Sequence, residues 1–154
     1  MILQYHMVRG NVVPPERAHP SDAGLDLRYN PEKEENKVTI IKPGESALLQ
    51  TGYRFAIPHG YMLEIKSRSS WAAHRSLLVG ACVVDSGYDG EVFVNLHNVG
   101  KRDQTVVYGD KIAQAVVVPV VPVRFVHSKD PNIYDWSPIT ISNRGVGALG
   151  STEK

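Results

Sequence analysis

Polar residues interrupt an apolar stretch of the chain between Gly80 and Gly90. Residues 80–90 read Gly-Ala-Cys-Val-Val-Asp-Ser-Gly-Tyr-Asp-Gly, which is typical of a strand that runs into a turn. Asp85 is a carboxylate placed just before that turn, where it could take a proton from a water molecule. Tyr88, three residues later, offers an aromatic ring against which a substrate could pack. These two residues are the first candidates for a reaction centre.

Further polar motifs lie beside apolar stretches elsewhere in the chain. They occupy residues 22–26 (Asp-Ala-Gly-Leu-Asp), 67–70 (Ser-Arg-Ser-Ser), 109–114 (Gly-Asp-Lys-Ile-Ala-Gln) and the glycine-rich tail 142–152. Arg68 could bind phosphate oxygens with both arms of its guanidinium, and Ser69 could add a hydroxyl group. Taken singly, each motif is also consistent with an ordinary turn or a loose terminus.

Composition limits the classes of partner. The 154 residues carry a formal net charge of +1, so no strong field favours nucleic acid, and no apolar stretch approaches the length of a membrane span. The six histidines lack metal-site spacing, and Cys82 is the single cysteine. With no signal-peptide layout at the start, we expect a protein of the cytosol or an equivalent reducing compartment.

The pattern of elements predicts an all-β fold in one domain with one short helix. Strands are predicted at residues 37–41, 61–66, 83–84, 91–96, 105–108 and 112–123, and turns at residues 42–45, 57–60 and 108–110. The helix is predicted over residues 69–75, with a serine as its cap. Pro119 and Pro122 should bend the last strand or place it at an edge.

In combination and order, these motifs resemble the five motifs of the trimeric dUTP pyrophosphatases, or dUTPases. The resemblance runs from Asp22 to Thr152. It implies a jelly-roll β-barrel of the dUTPase-like β-clip type, assembled as a homotrimer. The barrel would span residues 1–141, and residues 142–154 would form a mobile arm that is exchanged between subunits and closes over the active site. The implied reaction is hydrolysis of dUTP to dUMP and pyrophosphate with Mg²⁺.

The resemblance also implies a role for each matching residue. Asp85 would activate water, and Tyr88 would pack beneath deoxyribose, where a 2′-hydroxyl would clash. Sugar and base contacts would come from Tyr88, Cys82, Val83 and Leu149. Phosphate contacts would come from Arg68, Ser69, Ser70, Gln114, Arg144, Ser151 and Thr152. Asp26 would lie near the triphosphate and its hydrated magnesium, which would be held by phosphates and water without a direct protein ligand.

Three positions depart from the family pattern, all near the expected base. Cys82 replaces a glycine whose backbone helps to read uracil, Leu149 replaces a stacking aromatic residue, and Asp89 stands where arginine is frequent. These changes favour testing the base preference directly.

Three alternatives stay open. The related dCTP deaminases carry a glutamate ten residues after the turn aspartate, and this chain has Asn95 there, which cannot shuttle a proton. A pyrophosphatase of the same mechanism could act on another or a modified deoxynucleotide. A non-catalytic nucleotide-binding regulatory protein could keep the same fold and trimer.

Overall fold

A computed structural model describes residues 1–133 of the chain, and nearly all of its regular structure is β-strand. The strands are β1 (Gln4–Met7), β2 (Gly24–Arg28), β3 (Val38–Ile41), β4 (Ser46–Gln50), β5 (Tyr53–Ala56), β6 (Tyr61–Lys66), β7 (Leu77–Val79), β8 (Val83–Val84), β9 (Phe93–Asn98), β10 (Gln104–Val107) and β11 (Lys111–Pro119). The helix α1 spans Ser69–Arg75, and one 3-10 turn spans Glu34–Asn36. The predicted all-β class with one short helix is confirmed.

The chain divides into two compact units, residues 1–122 and 123–154, and every strand within the described residues 1–133 belongs to the first. The predicted boundary between residues 141 and 142 falls outside the described residues and stays a prediction. Within residues 1–133, no helix is long and apolar enough to cross a membrane.

The strands pair antiparallel in four sheets. The largest has the order β2-β11-β6-β8, a three-stranded sheet has the order β4-β9-β7, and β1 with β5 and β3 with β10 form two-stranded sheets. Strand β11 pairs with both β2 and β6, so it lies between two of the segments that carry polar motifs. This pairing gives residues 22–26, 67–70 and 109–114 a common position in space.

Alternation along the strands of the largest sheet separates a core face from an outer face. Leu27, Leu63, Ile65, Ala113 and Ala115 are buried in the core, and Ile112 is also buried, at a register shift between Lys111 and Ala113. Their neighbours Asp26 and Gln114 must therefore point to the outer face. The sheet thus uses one face for the core and offers the other to polar side chains.

Tyr53 and Asn30 form a fully buried polar contact in this core. Asn30 Nδ2 donates to the Tyr53 hydroxyl at 3.0 Å and to the Thr51 carbonyl at 2.7 Å. Burial disfavours the phenolate and raises the pKa of Tyr53 to about 12. The hydroxyl of Tyr53 also donates to the carbonyl of Val13, so this contact ties the N-terminal segment to the core.

Several local predictions are confirmed and others are wrong. The turns at residues 42–45 and 108–110 form with positive φ at Gly44 (78°) and Gly109 (86°), as their sequences indicate. Helix α1 has the predicted bounds, but its cap residue is Arg68, and no side chain caps it. The strand predicted to reach residue 123 ends at Pro119, where the chain meets the first of two prolines.

Candidate active site

Three polar side chains form a row across the outer face of the largest sheet. Gln114 on β11 lies opposite Asp26 on β2 and opposite Lys66 on β6. Residues directly opposite one another in antiparallel strands share a face, with Cβ atoms about 5 Å apart. Two predicted site residues, Asp26 and Gln114, are therefore brought together by strand register alone.

Arg68, the residue that precedes helix α1, contacts this row. Its Nε donates to Asp26 Oδ1 at 2.9 Å, and its Nη1 donates to the Lys111 carbonyl at 3.2 Å. Within residues 1–133, its Nη2 makes no hydrogen bond, so one edge of the guanidinium is available to a ligand. The arginine is thus held in place by the protein and can still present donors to an anion.

Further charged side chains surround Asp26 and Arg68 and form a cationic cluster with them. These are Lys111, Glu16 and Arg28, which the sequence alone did not single out. Lys111 Nζ lies 3.1 Å from Asp26 Oδ2 and 3.2 Å from Glu16 Oε2, while Arg28 Nη2 lies 2.6 Å from Glu16 Oε2. Hydrogen bonds from Lys111 and then Arg28 lower the pKa of Glu16. Three cations thus surround two carboxylates, and the excess positive charge favours an anionic ligand.

Lys111 and Glu16 differ in whether the sequence contains a signal for their place in the cluster. Lys111 belongs to the motif of residues 109–114 and could have been found there. Glu16 reaches the cluster through an isolated bridge, in which its backbone and that of Asp26 exchange hydrogen bonds of 3.2 and 2.7 Å. A pairing between a loop residue and a strand leaves no local signal in the sequence.

The side chain of Gln114 lies flat against the neighbouring backbone. Its Nε2 donates to the Ser67 carbonyl at 3.1 Å, and the absence of a side chain at Gly24 leaves room for it. Ser67 Oγ in turn accepts the backbone N–H of Val79 at 3.0 Å. The amide position is therefore set by three separate segments of the chain.

Ser69 and Ser70 are the first two residues of helix α1, and both are exposed. Within the described part of the chain their hydroxyl groups make no hydrogen bond. They lie next to Arg68 in sequence, so both hydroxyl groups are available beside the arginine. Their role as phosphate contacts stays a prediction.

Asp85 and Tyr88 form the two ends of a tight turn after β8. The Tyr88 N–H donates to the Asp85 carbonyl at 3.3 Å, and Gly87 supplies the positive φ of 87°. The Asp85 carboxylate is exposed and makes no hydrogen bond within residues 1–133. Tyr88 is 47% exposed, and its hydroxyl donates to the Glu91 carbonyl at 2.9 Å, so it is not a core aromatic residue. Both side chains are open to a substrate.

The residues expected near the base lie on the strand that leads to this turn. The carbonyl of Cys82 accepts the Ile65 N–H at 2.7 Å, which commits it to β6. Val83 is exposed and lies opposite Glu64. Asp89 points to Arg54, with 3.3 Å between carboxylate and guanidinium. The departures at residues 82 and 89 therefore have separate surroundings.

Within a single chain, the turn of Asp85 and Tyr88 and the cationic cluster lie at opposite ends of β6. Strand β8 pairs with β6 at Val83↔Glu64 and Val84↔Leu63, which places Asp85 beside Met62. Gln114 pairs with the other end of β6, at Lys66. Four residues of β-strand span roughly 13 Å. The hollow beside Asp85 is lined by His59, Gly60, Tyr61, Ser86, Val120 and Pro122, and not by the cluster.

Other expectations fall elsewhere. Arg144, Leu149, Ser151 and Thr152 lie outside the described residues. Asn95 lies in the three-stranded sheet, where its Oδ1 is 2.6 Å from His97 Nε2. Within residues 1–133, no group of three or more His, Cys, Asp or Glu side chains is placed to hold a metal ion.

Known proteins are similar to this chain in sequence and in fold. The dUTPase family model matches residues 11–148. The deoxyuridine 5′-triphosphate nucleotidohydrolase of Clostridium acetobutylicum is 39% identical over 140 residues, covering 90% of this chain and 87% of that relative. The protein of the same name from Clostridium tetani is 34% identical, with 99% and 97% of the two chains covered.

Solved structures agree with the sequence relatives. A mutant dUTPase of Staphylococcus bacteriophage 80alpha with dUpNHpp has a TM-score of 0.80 at 23% identity and covers 98% of both chains. A mutant dUTPase of phage phi11 of S. aureus, described as coordinating a structural Mg(II) ion, has a TM-score of 0.73 at 24% identity, with 84% of this chain and 98% of that chain covered. The fold is the predicted jelly-roll β-barrel, and the chain belongs to the dUTPase family.

Proposed function

We propose that this chain hydrolyses dUTP to dUMP and pyrophosphate. The observation that supports this most directly is the pairing of two complementary half-sites on one chain. One is the cationic cluster around Arg68 and Lys111, which suits phosphate oxygens. The other is the exposed turn with a carboxylate at Asp85 and a ring at Tyr88. Relatives that carry the name of a dUTP hydrolase match nearly the whole chain.

In the proposed reaction, a water oxygen attacks the α-phosphorus as Asp85 takes its proton. The bond between the α-phosphorus and the oxygen that bridges to the β-phosphorus breaks, and pyrophosphate leaves. Arg68 and Gln114 hold phosphate oxygens, where the negative charge develops. Ser69 and Ser70 add hydroxyl donors beside them. This division of labour needs one free carboxylate and several fixed donors, which are the features of the two half-sites.

The complete site is proposed to form between subunits of a homotrimer. The separation of roughly 13 Å along β6 keeps Asp85 away from Gln114 within one chain. A second copy of the chain can place its turn against the cluster of the first, as a closed ring of identical subunits allows. The arm of residues 142–154 from a third copy would then close over the nucleotide, with Arg144, Ser151 and Thr152 at the terminal phosphates.

The nucleoside is proposed to lie on the turn. The ring of Tyr88 packs beneath deoxyribose and disfavours a 2′-hydroxyl. The backbone N–H of Cys82 and the side chain of Val83 face the base, and Leu149 of the arm covers it. The carbonyl of Cys82 is bound to the Ile65 N–H, whereas the N–H of Cys82 makes no backbone hydrogen bond within residues 1–133 and is available to the base.

Magnesium fits this site as an ion held by the substrate. The carboxylates nearest to the phosphates, Asp26 and Glu16, already contact Arg68, Arg28 and Lys111. Such a donor set suits a hydrated cation bound to phosphate oxygens, with Asp26 as the nearest protein carboxylate. When bound, the ion neutralises part of the phosphate charge.

A location in the cytosol, or in an equivalent reducing compartment, is also a proposal.

The direct test is a substrate panel. Pyrophosphate release is measured with dUTP, dCTP, dTTP and UTP in the presence of Mg²⁺, and ammonia release is measured with dCTP. We expect turnover of dUTP and little of the others. Turnover of a different deoxynucleotide would transfer the proposal to that base, and no turnover of any would contradict it.

A further inference from the structure

Arg9 lies two residues before the part of the chain that matches the family, which begins at residue 11. Its guanidinium nevertheless reaches Glu91, three residues after Tyr88. Nη1 donates to Glu91 Oε2 at 3.0 Å, and Nη2 donates to Glu91 Oε1 at 2.9 Å. Nη2 also donates to the Asn30 carbonyl at 2.5 Å. A segment outside every motif is thus bound to residues next to the candidate site.

The contact between Arg9 and Glu91 is partly buried and has two parallel hydrogen bonds. The side chains are only 17% and 14% exposed, so solvent screens the pair weakly. Glu91 Oε1 also accepts the Gly52 N–H at 2.8 Å. Both carboxylate oxygens are therefore fixed, and with them the backbone of Glu91.

The backbone of Glu91 is what Tyr88 contacts. The Tyr88 hydroxyl donates to the Glu91 carbonyl at 2.9 Å, and its ring folds over Gly90, where an added Cβ would lie 2.4 Å from the hydroxyl oxygen. The ring is 47% exposed, and within residues 1–133 its hydroxyl makes no other hydrogen bond. Its position therefore depends on where the Glu91 carbonyl is held.

We propose that Arg9 is a positioning residue for sugar selection, acting on Tyr88 through Glu91. The side chain of Arg9 does not touch the substrate. It fixes Glu91, whose carbonyl holds the Tyr88 hydroxyl and so sets the height of the ring beneath the sugar. This inference rests on the proposed function, because it assigns the selection of deoxyribose to Tyr88.

The neighbouring pair of Arg54 and Asp89 provides a contrast on the same turn. It is a single contact of 3.3 Å, and its side chains are 43% and 88% exposed. Exposed pairs of this kind contribute little to geometry. The position of the Tyr88 ring should therefore depend on the bidentate pair of Arg9 and Glu91 and not on the exposed pair.

The test is a double-mutant cycle with Arg9→Lys and Tyr88→Phe. The measured quantity is the selectivity ratio, kcat/KM for dUTP divided by kcat/KM for UTP. Arg9→Lys keeps the charge and removes the two parallel hydrogen bonds. When Tyr88 is present, we expect Arg9→Lys to lower the selectivity ratio by about fivefold or more. In the Tyr88→Phe background, Arg9→Lys should change the ratio little. Arg54→Lys, the matched control, should leave the ratio unchanged.

Other outcomes separate the possible roles. Equal losses for both substrates, with a lower melting temperature, would make Arg9 a structural residue only and overturn the inference. Additive effects in the cycle, or an equal effect of Arg54→Lys, would overturn it as well. The double variant Arg9→Gln with Glu91→Gln removes both buried charges and keeps the chain testable if Arg9→Lys folds poorly.

A binding measurement distinguishes this inference from the proposed function. Affinities for dUMP and UMP, measured by calorimetry, report sugar selection without turnover, and Arg9→Lys should narrow the gap between them. A wild-type chain without dUTP turnover contradicts the proposed function. An active wild-type chain with the same selectivity in every variant contradicts the role of Arg9 alone.

Discussion

Gly24 lies so close to Gln114 that a Cβ built on Gly24 would come within 2.2 Å of Gln114 Oε1 and 3.0 Å of Gln114 Cβ. The two residues are on adjacent strands, and the amide of Gln114 passes over the glycine to reach Ser67. A side chain at residue 24 would force the amide out of this position. The glycine is thus a spatial requirement of the proposed phosphate site.

Gly24→Ala is therefore expected to impair catalysis more than stability. Displacing Gln114 by an ångström or so should lower kcat/KM for dUTP by about 10- to 100-fold. Steady-state kinetics with dUTP measure this. Gly10→Ala is the matched control, since an added Cβ at Gly10 meets nothing within 4 Å. Equal activity in the two variants would remove Gln114 from the phosphate site.

Asp85→Asn tests the proposed base. The amide has nearly the same shape but cannot accept the proton of water, so turnover should fall by about 10³-fold or more while nucleotide binding persists. Binding of a non-hydrolysable dUTP analogue, measured by calorimetry, checks the second part. If turnover were retained, another group would have to serve as the base.

Subunit mixing tests whether the site is shared. Asp85→Asn and Arg68→Gln chains should each be inactive alone. After joint unfolding and refolding at equal amounts, sites that combine an intact turn with an intact cluster should restore about one quarter of wild-type activity. Sites contained within one chain would give no recovery. A mixture of Asp85→Asn with Asp85→Ala chains is the control and should stay inactive.

Deletion of residues 143–154 tests the arm. Loss of Arg144, Leu149, Ser151 and Thr152 should abolish or greatly weaken dUTP turnover, because these residues are proposed to cover the nucleotide and exclude bulk water. Size-exclusion chromatography should show the same oligomer as the full chain. A truncated chain with full activity would show that the arm has no part in catalysis.

Tyr53 predicts a pH dependence of stability. Its pKa is raised by burial from 10.0 to about 12. Below pH 10 the phenol is protonated in both states, and its contribution is fully present. Between pH 10 and 12 the unfolded state ionises first, so the free energy of unfolding should fall by about 2 kcal/mol over this range. Denaturant unfolding of wild type and Tyr53→Phe measures this.

The variant separates Tyr53 from other groups that titrate in the same range. Tyr53→Phe loses the contacts to Asn30 and Val13 and should be less stable at pH 8. Its decline between pH 10 and 12 should be shallower than that of wild type. Parallel curves for the two chains would assign the decline to other residues.

Local sequence signals predicted the bounds of helix α1 but not the residues that flank it at either end. The bounds at Ser69 and Arg75 follow from helix-forming residues after two serines. The cap residue is Arg68, whose side chain contacts Asp26, and the helix ends where Ser76 adopts a left-handed φ of 53°. Both features depend on tertiary contacts that propensity does not contain.

Strands were predicted where β-branched residues are frequent. They were missed where strand formation depends on pairing with another strand. Strands β1, β4, β5 and β7 are short and have mixed composition, and pairing partners far along the chain make them strands. Strand β2 begins at Gly24, inside the polar motif of residues 22–26. The same limit applies to the site. Motif order singled out Asp26, Arg68, Gln114 and Asp85 as candidates, but the contact of Glu16 with the cationic cluster required its position in space.

The outer face of the four-stranded sheet has a consequence for how this chain can change over generations. Gln114 stands between the buried residues Ala113 and Ala115, so one added or lost residue in β11 would turn Gln114 toward the core and place an alanine at the proposed phosphate site. Such a change would damage folding and catalysis at once. Insertions and deletions should therefore accumulate in exposed connections such as residues 32–36, while the lengths of β2, β6 and β11 stay constant.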